Sequence, residues 1–381
     1  MEYPLKQWGG VEVLVKELLA GLHGEYEILL ASDDTPETLA EAEPSRFVAA
    51  HFPWNPRRDS RERAAEFSAW LLENRAGLVH FHLGGTYALG TRSLRNSPIP
   101  VVARSGIPCI ATNHGAFSLF DFCAPWRPLA VRLGLLPLFW AGRARTLLSL
   151  RREITVSDND LGNMRRWFFP FRDKFQRIYH SQLNGDEAIN EDRGQSILCL
   201  GTIGPRKGQI FLVEAFARIA ERFPAWKLII AGRQDAGGSE MRRMEATVAR
   251  HHLQDRVQLA GAVSVEEARR LMLSCGIFAM PSLAEGLGLS LQEALFSGCP
   301  AVASRVGGIQ DMVLDGQTGW LAEPGDVRSL ADTLALAMTS PTERRIRGKA
   351  ARGRIAQLGM TRAHMVAEHL ALYREVGHLT C

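Results

Sequence analysis

The chain has 381 residues, more than one hydrophobic core usually supports, so two domains are expected. Hydrophobic residues make up 46% and charged residues 23% of the sequence, which excludes a disordered or fibrous protein. The net charge of +4 is too small to indicate nucleic-acid binding. The six cysteines are scattered without a C-x-x-C pair, and no apolar run reads as a signal peptide or membrane span, so we expect a cytoplasmic protein without a disulfide framework.

The first part of the chain alternates between helix and strand patterns and predicts an α/β domain over residues 1–182. Its predicted elements are a helix over Val11–His23, a strand over Tyr26–Ala31, a helix near Ser60–Arg75, and strands over Leu78–His82, Pro108–Thr112, Glu153–Ser157 and Gln176–His180.

The start of this domain is unusual. Trp8, Gly9 and Gly10 stand where a glycine loop would follow the first strand of a nucleotide-binding domain, yet only seven residues precede them. Those residues, MEYPLKQ, do not have the apolar pattern of a buried strand. We therefore expect the first strand to be missing and the native chain to begin upstream of Met1, which would leave two strand edges unpaired.

Residues 183–195 form a polar stretch without an apolar period, which predicts a linker. A second domain follows over residues 196–360, in which short apolar strands alternate with helical patterns. Such strands indicate a parallel sheet covered on both faces, which binds ligands at the carboxyl ends of its strands. The predicted strands are Ser196–Leu200, Trp226–Ala231, Val257–Ala260, Gly276–Met280 and Pro300–Ala303.

The segment from Pro281 to Pro300 carries the densest functional signal. Glu285 follows a predicted strand, and Gly286 and Gly288 allow the backbone to approach a ligand closely. A helix is predicted to begin near Leu289, where its N–H groups and positive dipole end suit a diphosphate. Glu293 lies one turn into this helix, within reach of ribose hydroxyls.

A second signal is the loop from Gly201 to Gly208, which follows the first strand of the second domain and contains Arg206 and Lys207. Two adjacent cations at the carboxyl end of a strand predict a site for an anionic ligand. If that ligand leaves in a reaction, fixed cations aimed at its growing negative charge stabilise the transition state more than the ground state.

Together these motifs resemble the family-4 glycosyltransferases of the GT-B fold, with the Glu-x7-Glu signature at Glu285 and Glu293. The resemblance implies two Rossmann-like parallel-sheet domains that face each other across a cleft, with a final helix near Thr361–Val376, in the segment 361–381, crossing back to the first domain. It also implies a metal-independent, retaining transfer by front-face attack. The donor would be a UDP- or GDP-sugar, and the acceptor a glycan or a lipid-linked molecule of the cell envelope or an exopolysaccharide.

The same resemblance assigns roles to individual residues. Glu285 would contact hydroxyls of the donor sugar, Glu293 would hold the ribose, and His114 of the Thr112-Asn113-His114 motif would approach the transferred sugar. The family usually has an Arg at the position of Thr202, and we consider Arg206 as its replacement. The residues implied at the donor diphosphate are Gly9, Gly10, Arg206, Lys207, Gly286, Leu287, Gly288 and Leu289.

Three other functions compete with this interpretation. Asp158-Asn159-Asp160 superficially fits the metal motif of GT-A glycosyltransferases, but Ser157 or Asp158 is better explained as the cap of a helix starting near Leu161. A non-catalytic paralogue that binds sugar nucleotides as a partner subunit remains open, and Thr202 favours it. An NAD-dependent oxidoreductase would need a G-x-G-x-x-G fingerprint after a strand, which neither domain has.

Two further patterns concern metals and membranes. His80 and His82 share one face of a predicted strand, but no third ligand is evident at a useful spacing, so no metal site is predicted. The apolar segment Pro128–Gly142 opens a region, Trp126–Arg177, with 11 basic but only four acidic residues. Such a region is typical both of a peripheral contact with an anionic membrane and of an ordinary buried helix.

Overall fold

A computed structural model describes residues 10–55, 60–83, 97–114, 129–186, 190, 192–234 and 237–378. The chain divides into two compact units: residues 1–182 together with 361–381 form unit 1, and residues 183–360 form unit 2. None of the described helices is long and apolar enough to cross a membrane.

Unit 1 contains two parallel sheets in its described part. Strands β1 and β2 pair with each other, and four further strands form a sheet in the order β3-β4-β5-β6. Every residue of β4 is buried, which agrees with a sheet covered on both faces. The strands are β1 (Leu29–Ser32), β2 (Ala50–Pro53), β3 (Val79–Leu83), β4 (Cys109–Asn113), β5 (Arg152–Thr155) and β6 (Phe175–Arg177).

The helices of unit 1 cover these sheets. Ser60 and Ser157 cap two of them by accepting hydrogen bonds from the backbone N–H groups of Arg63 and Asp160, at 3.1 Å each. The helices are α1 (Gly10–Leu22), α2 (Pro36–Ala40), α3 (Arg61–Glu73), α4 (Ile99–Arg104), α5 (Leu129–Ser149), α6 (Asp158–Trp167) and α14 (Arg362–His378).

The C-terminal helix α14 is part of the core of unit 1. Its Met365, Leu372 and Val376 are buried in a cluster with apolar residues of α1, β4 and β5. Gly21 of α1 lies so close to α14 that a Cβ atom at this position would come within 2.4 Å of the Val366 side chain. Glycine therefore allows the two helices to pack at short distance.

A hollow of about 700 Å³ lies between β1 and β3. Its walls are mostly apolar and include Leu18 and Leu19 of α1 and Phe67 and Leu71 of α3. The expected absence of a first strand falls on residues 1–9, which are outside the described residues, so it stays a prediction.

Unit 2 is built on one parallel sheet of six strands in the order β12-β11-β10-β7-β8-β9. Apolar side chains from both the sheet and the surrounding helices form its core. The strands are β7 (Ser196–Leu200), β8 (Lys227–Ala231), β9 (Val257–Gly261), β10 (Ile277–Met280), β11 (Ala301–Ser304) and β12 (Trp320–Ala322). The helices are α7 (Gln209–Ile219), α8 (Ser239–Arg250), α9 (Val265–Ser274), α10 (Leu289–Phe296), α11 (Ile309–Met312), α12 (Val327–Thr339) and α13 (Pro341–Gln357).

The predicted class of two parallel-sheet α/β domains is confirmed, and the five strands predicted in the second domain are present to within a residue or two. Strands β2 and β12 were not predicted. They have four and three residues, too few to show a period, and β2 ends on Pro53. The helix predicted near Leu161 begins earlier, at Asp158, because Ser157 is its cap.

Candidate active site

The chain order of the unit 2 sheet reverses between β7 and β10, which lie side by side at its centre. In open α/β sheets, ligands bind outside the carboxyl ends of the strands at such a switch point. The two motifs singled out in the sequence, the loop after β7 and the loop after β10, both begin there. The topology therefore brings Lys207 and Glu285 together although 78 residues separate them.

Glu285 is buried, with 7% of its surface exposed, and three side chains surround its carboxylate. Lys207 Nζ lies 2.5 Å from Oε2, Ser282 Oγ donates to Oε2 at 3.2 Å, and Arg206 Nη1 lies 3.9 Å from Oε1. Burial raises the pKa of Glu285, but the charges of Lys207 and Arg206 and the hydrogen bonds from Lys207 and Ser282 outweigh it and lower the pKa below its ordinary value. The group is thus a fixed carboxylate at neutral pH.

Backbone contacts hold the two loops together. Leu283 N–H donates to the carbonyl of Arg206 at 2.8 Å, and the Arg206 guanidinium donates to the carbonyl of Ala284 at 3.0 Å. Gly208 has a φ of +67°, and a Cβ atom there would lie 2.2 Å from the Pro281 carbonyl oxygen. A residue larger than glycine would push the loops apart and separate Lys207 from Glu285.

Helix α10 begins at Leu289, as predicted, directly after the Gly286-Leu287-Gly288 segment. Gly288 has a φ of +88°, and no side chain caps the helix. The helix therefore presents backbone N–H groups and its positive end beside Glu285, a suitable environment for an anion. Glu293 is half-buried in the second turn of this helix, and its ribose-binding role stays a prediction.

Several residues that the sequence interpretation did not select also support this site. The Gln209 side chain is buried and donates to the Thr202 carbonyl at 2.9 Å, so the backbone of Thr202, and not its side chain, anchors the loop. A Cβ atom at Gly307 would lie 1.7 Å from the Glu285 carbonyl oxygen, and Gly308 N–H donates to Gly286. These residues could have been selected from the sequence, because Ser282 stands two residues after a predicted strand and Gly307-Gly308 is a Gly-Gly pair.

His114 lies in unit 1, at the end of β4, within a group of imidazoles that we call the histidine cluster. Neighbouring ring centroids in this cluster are 4.2 to 6.2 Å apart. Burial, followed by repulsion between the imidazoles, lowers the pKa of His114 to about 3. The cluster consists of His80 and His82 of β3, His114, His180 after β6, and His369 of α14.

The remaining sequence predictions lie elsewhere. Gly9 is outside the described residues, and Gly10 is the first residue of α1. Asp158 accepts a hydrogen bond from the Tyr179 hydroxyl and pairs with Arg177. In the described ranges no group of three or more His, Cys, Asp or Glu is arranged to hold a metal ion.

Comparison with protein families places both halves of the chain. The family described as "Glycosyltransferase Family 4" matches residues 8–180, and "Glycosyl transferases group 1" matches residues 184–354. Among curated proteins, D-inositol 3-phosphate glycosyltransferase of Pseudarthrobacter chlorophenolicus is 30% identical over 186 residues, 48% of this chain and 44% of that protein. The GDP-mannose-dependent alpha-(1-6)-phosphatidylinositol monomannoside mannosyltransferase of Mycolicibacterium smegmatis is 29% identical over 163 residues, 41% of this chain and 42% of that protein. The chain thus spans less than half the length of these relatives.

A similar fold is found across nearly the whole chain in Anabaena HepE, crystallised in complex with UDP and glucose. That structure has a TM-score of 0.73 and 17% sequence identity, and the match covers 96% of each chain. At this identity the likeness establishes the fold alone. The two family matches show that the chain belongs to the family-4, group 1 glycosyltransferases, and the structural likeness shows that it has the GT-B fold.

Proposed function

We propose that the protein is a retaining glycosyltransferase that moves a hexose-type sugar from a nucleoside diphosphate to a glycan or a lipid-linked acceptor, without a metal ion. The observation that supports this most is the fixed carboxylate of Glu285, held by Lys207 and Ser282 at the switch point of the unit 2 sheet. A carboxylate and two cations at the start of an uncapped helix match the needs of a sugar diphosphate.

In this proposal Glu285 binds hydroxyls of the transferred sugar, and Lys207 and Arg206 stabilise the diphosphate as it leaves. The N–H groups of the Gly286–Leu289 segment bind the same diphosphate, and Glu293 binds the ribose. His114 contributes a neutral imidazole near the sugar, in agreement with its lowered pKa. The leaving phosphate oxygen then assists deprotonation of the acceptor hydroxyl.

The donor nucleotide is a matter for experiment. The HepE structure contains UDP and glucose, whereas the Mycolicibacterium relative is named for GDP-mannose. We therefore propose a UDP- or GDP-sugar and test both.

The first experiment is a nucleotide-release assay with a panel of UDP- and GDP-sugars, in the presence and absence of EDTA. We expect the wild type to hydrolyse one donor slowly, with no effect of EDTA. Glu285→Ala should lower this rate at least about 100-fold, because the lost carboxylate contacts the sugar in the transition state. Glu266→Ala is the matched control, since Glu266 is exposed on α9 of the same unit.

A non-catalytic paralogue that binds sugar nucleotides is the second candidate, favoured by Thr202 at the position where relatives of this type have Arg. Its signature would be a donor that raises the melting temperature of the wild type without any release of nucleotide. Turnover that depends on Glu285 would exclude it.

We also propose that unit 1 contacts an anionic membrane surface that carries the acceptor. Trp140 of α5 is 40% exposed and Phe169, after α6, is 64% exposed; the Trp140 indole N–H donates to the carbonyl of Trp167. Arg165 and Arg166 at the end of α6 are exposed as well. Aromatic side chains beside cations suit the headgroup region of an anionic bilayer.

Co-sedimentation with vesicles of phosphatidylglycerol and phosphatidylcholine tests this contact. We expect binding that weakens as salt rises, and loss of binding in the double variant Trp140→Ser, Phe169→Ser. Leu336→Ser, which removes an exposed apolar side chain from unit 2, is the control. Equal binding by both variants would argue against this surface.

A further inference from the structure

The histidine cluster of unit 1 contains more imidazoles than the proposed reaction uses. His114 alone was assigned a role, yet its Nε2 lies 3.0 Å from Nδ1 of His82, which belongs to the neighbouring strand β3. The register of the sheet fixes this contact, because His82 lies opposite Thr112 and the His114 N–H donates to the carbonyl of Leu83 at 3.1 Å.

We propose that His82 is a positioning residue that fixes the tautomer of His114, so that His114 presents Nδ1 to the substrate in one defined state. This inference rests on the proposed role of His114 in sugar transfer. It assigns His82 a task that a merely packed histidine would not have.

The argument begins with the protons. A neutral imidazole carries one N–H, so in a bond between two neutral rings one nitrogen donates and the other accepts. If His82 donates from Nδ1, His114 accepts at Nε2 and carries its own proton on Nδ1. If His114 donates instead, its Nδ1 is a bare acceptor. The two tautomers are therefore linked through the 3.0 Å contact.

The surrounding groups keep both rings neutral. Burial lowers the pKa of His82 and of His114, and the other imidazoles lower them further by repulsion. Among the described residues, His80 of β3 packs against His82 and His180 after β6 packs against His114. His369 and Tyr373 of α14 lie behind them, in contact with His80, and His369 also contacts His180. None of these side chains is an acid that would favour a protonated imidazole.

Helix α14 holds the ring that packs against His82. The Tyr373 hydroxyl lies 2.6 Å from His80 Nδ1, and the Thr112 hydroxyl lies 2.7 Å from His80 Nε2. With both nitrogens engaged, the His80 ring cannot rotate freely, and its centroid is 4.2 Å from that of His82. The His80 ring, which α14 and β4 hold in place, therefore restrains the His82 ring that packs against it.

His369 closes the inner side of the cluster. Its side chain is fully buried, and its Nδ1 lies 2.8 Å from the Met365 carbonyl oxygen, which can only accept a hydrogen bond. Nδ1 therefore carries the proton, and burial lowers the pKa of His369 to about 4. His369 therefore has no proton on Nε2 to donate to the neighbouring rings, and it does not favour either tautomer of His114.

The decisive measurement is the tautomer of His114 by nuclear magnetic resonance of protein labelled at its histidine rings with ¹³C and ¹⁵N. We expect a single neutral tautomer in the wild type from pH 8 to pH 5. His82→Leu should give a mixture of tautomers. His82→Asn should retain one tautomer, because its amide lies near the place of Nδ1 and can donate or accept.

His364→Leu, at an exposed position of α14 outside the cluster, is the matched control and should leave the His114 signals unchanged. A tautomer mixture in the wild type, or an unchanged single tautomer in His82→Leu, would overturn the proposal.

Turnover of the donor provides a second readout. We expect His82→Leu to lower kcat roughly tenfold with little change in KM, as for the loss of one hydrogen bond that orients a reacting group, and His82→Asn to restore most of it. If the spectra change as expected but kcat does not, the tautomer proposal stands and the proposed role of His114 fails. The two failures can therefore be distinguished.

Discussion

The two units arrange their polar groups in opposite ways. Unit 2 places a charged pair, Lys207 and Glu285, at the carboxyl ends of two neighbouring strands. Unit 1 places neutral imidazoles at the corresponding region of its sheet, where burial suppresses their charge. A site that binds an anionic leaving group needs fixed charge, whereas a site that orients a neutral sugar needs hydrogen bonds of defined direction. We therefore expect substitutions that remove charge to lower activity most in unit 2, and acid to destabilise unit 1 more than unit 2.

The largest effect should follow from removing charge in unit 2. Lys207→Met is expected to lower the rate of donor hydrolysis about 100-fold to 1,000-fold, because in the proposed reaction the cation stabilises the leaving diphosphate mainly in the transition state. The nucleotide-release assay measures it. Lys227→Met, which removes an exposed lysine of β8, should leave the rate unchanged.

A double-mutant cycle sharpens this test. Lys207→Met leaves the buried Glu285 without its nearest cation, so the further change Glu285→Gln should restore part of the lost stability without restoring activity. If the double variant is no more stable than Lys207→Met, the ion pair is not the element that organises the two loops.

The second largest effect should be a loss of folding stability in unit 1 as the pH is lowered. A buried neutral histidine has a lower pKa in the folded than in the unfolded protein, so its contribution to stability is complete above pH 6.5 and is lost as the pH falls toward its folded pKa. For His369 the window is from pH 6.5 to about 4, worth on the order of 3 kcal/mol. Glu285, whose pKa is lowered, loses its contribution only as the pH falls below the ordinary value of 4.5. We therefore expect unit 1 to be destabilised first, between pH 6.5 and 5.

Hydrogen exchange followed by peptide mass spectrometry at pH 7 and pH 5.5, corrected for intrinsic rates, measures this difference. Peptides from β3, β4 and α14 should lose protection while those from β7 and β10 keep it. In unit 2 the described histidines, His251 and His252, are exposed on the surface, and none is buried as in the histidine cluster. Equal loss in both units, or earlier loss in unit 2, would contradict the comparison.

The units also differ in how far their sequence determined the prediction. In unit 2 the strands are short and apolar and the glycines stand beside the motif, so local patterns were sufficient to place Glu285, Lys207 and the start of α10. In unit 1 the important contacts are between distant parts of the chain. His369 and Tyr373 contact His80, which lies almost 300 residues earlier in the chain, and no local sequence pattern predicts such a contact. The one-turn spacing of His369 and Tyr373 can be read from the sequence, but the strand that these side chains contact cannot.

The hollow between β1 and β3 can be tested as the place of an additional strand. Joining five apolar residues and a glycine ahead of α1 should raise the melting temperature by a few degrees, because an added strand would cover apolar walls such as Leu18 and Phe67. Five polar residues in the same place are the control. Equal melting temperatures for the two proteins would mean that this hollow does not take a strand from the N-terminal side of α1.

The smallest effect is expected at Thr202. Its carbonyl, and not its side chain, accepts the hydrogen bond from Gln209, so Thr202→Arg should keep the loop intact. If Arg206 already supplies the second cation, the added charge should change kcat less than about threefold, whereas Arg206→Ala should lower it about tenfold or more. The informative variant combines both changes. Recovery of activity in Thr202→Arg, Arg206→Ala would show that the two positions serve one phosphate-binding task, while no recovery would mean that Arg206 acts through its contacts with Ala284 and Glu285.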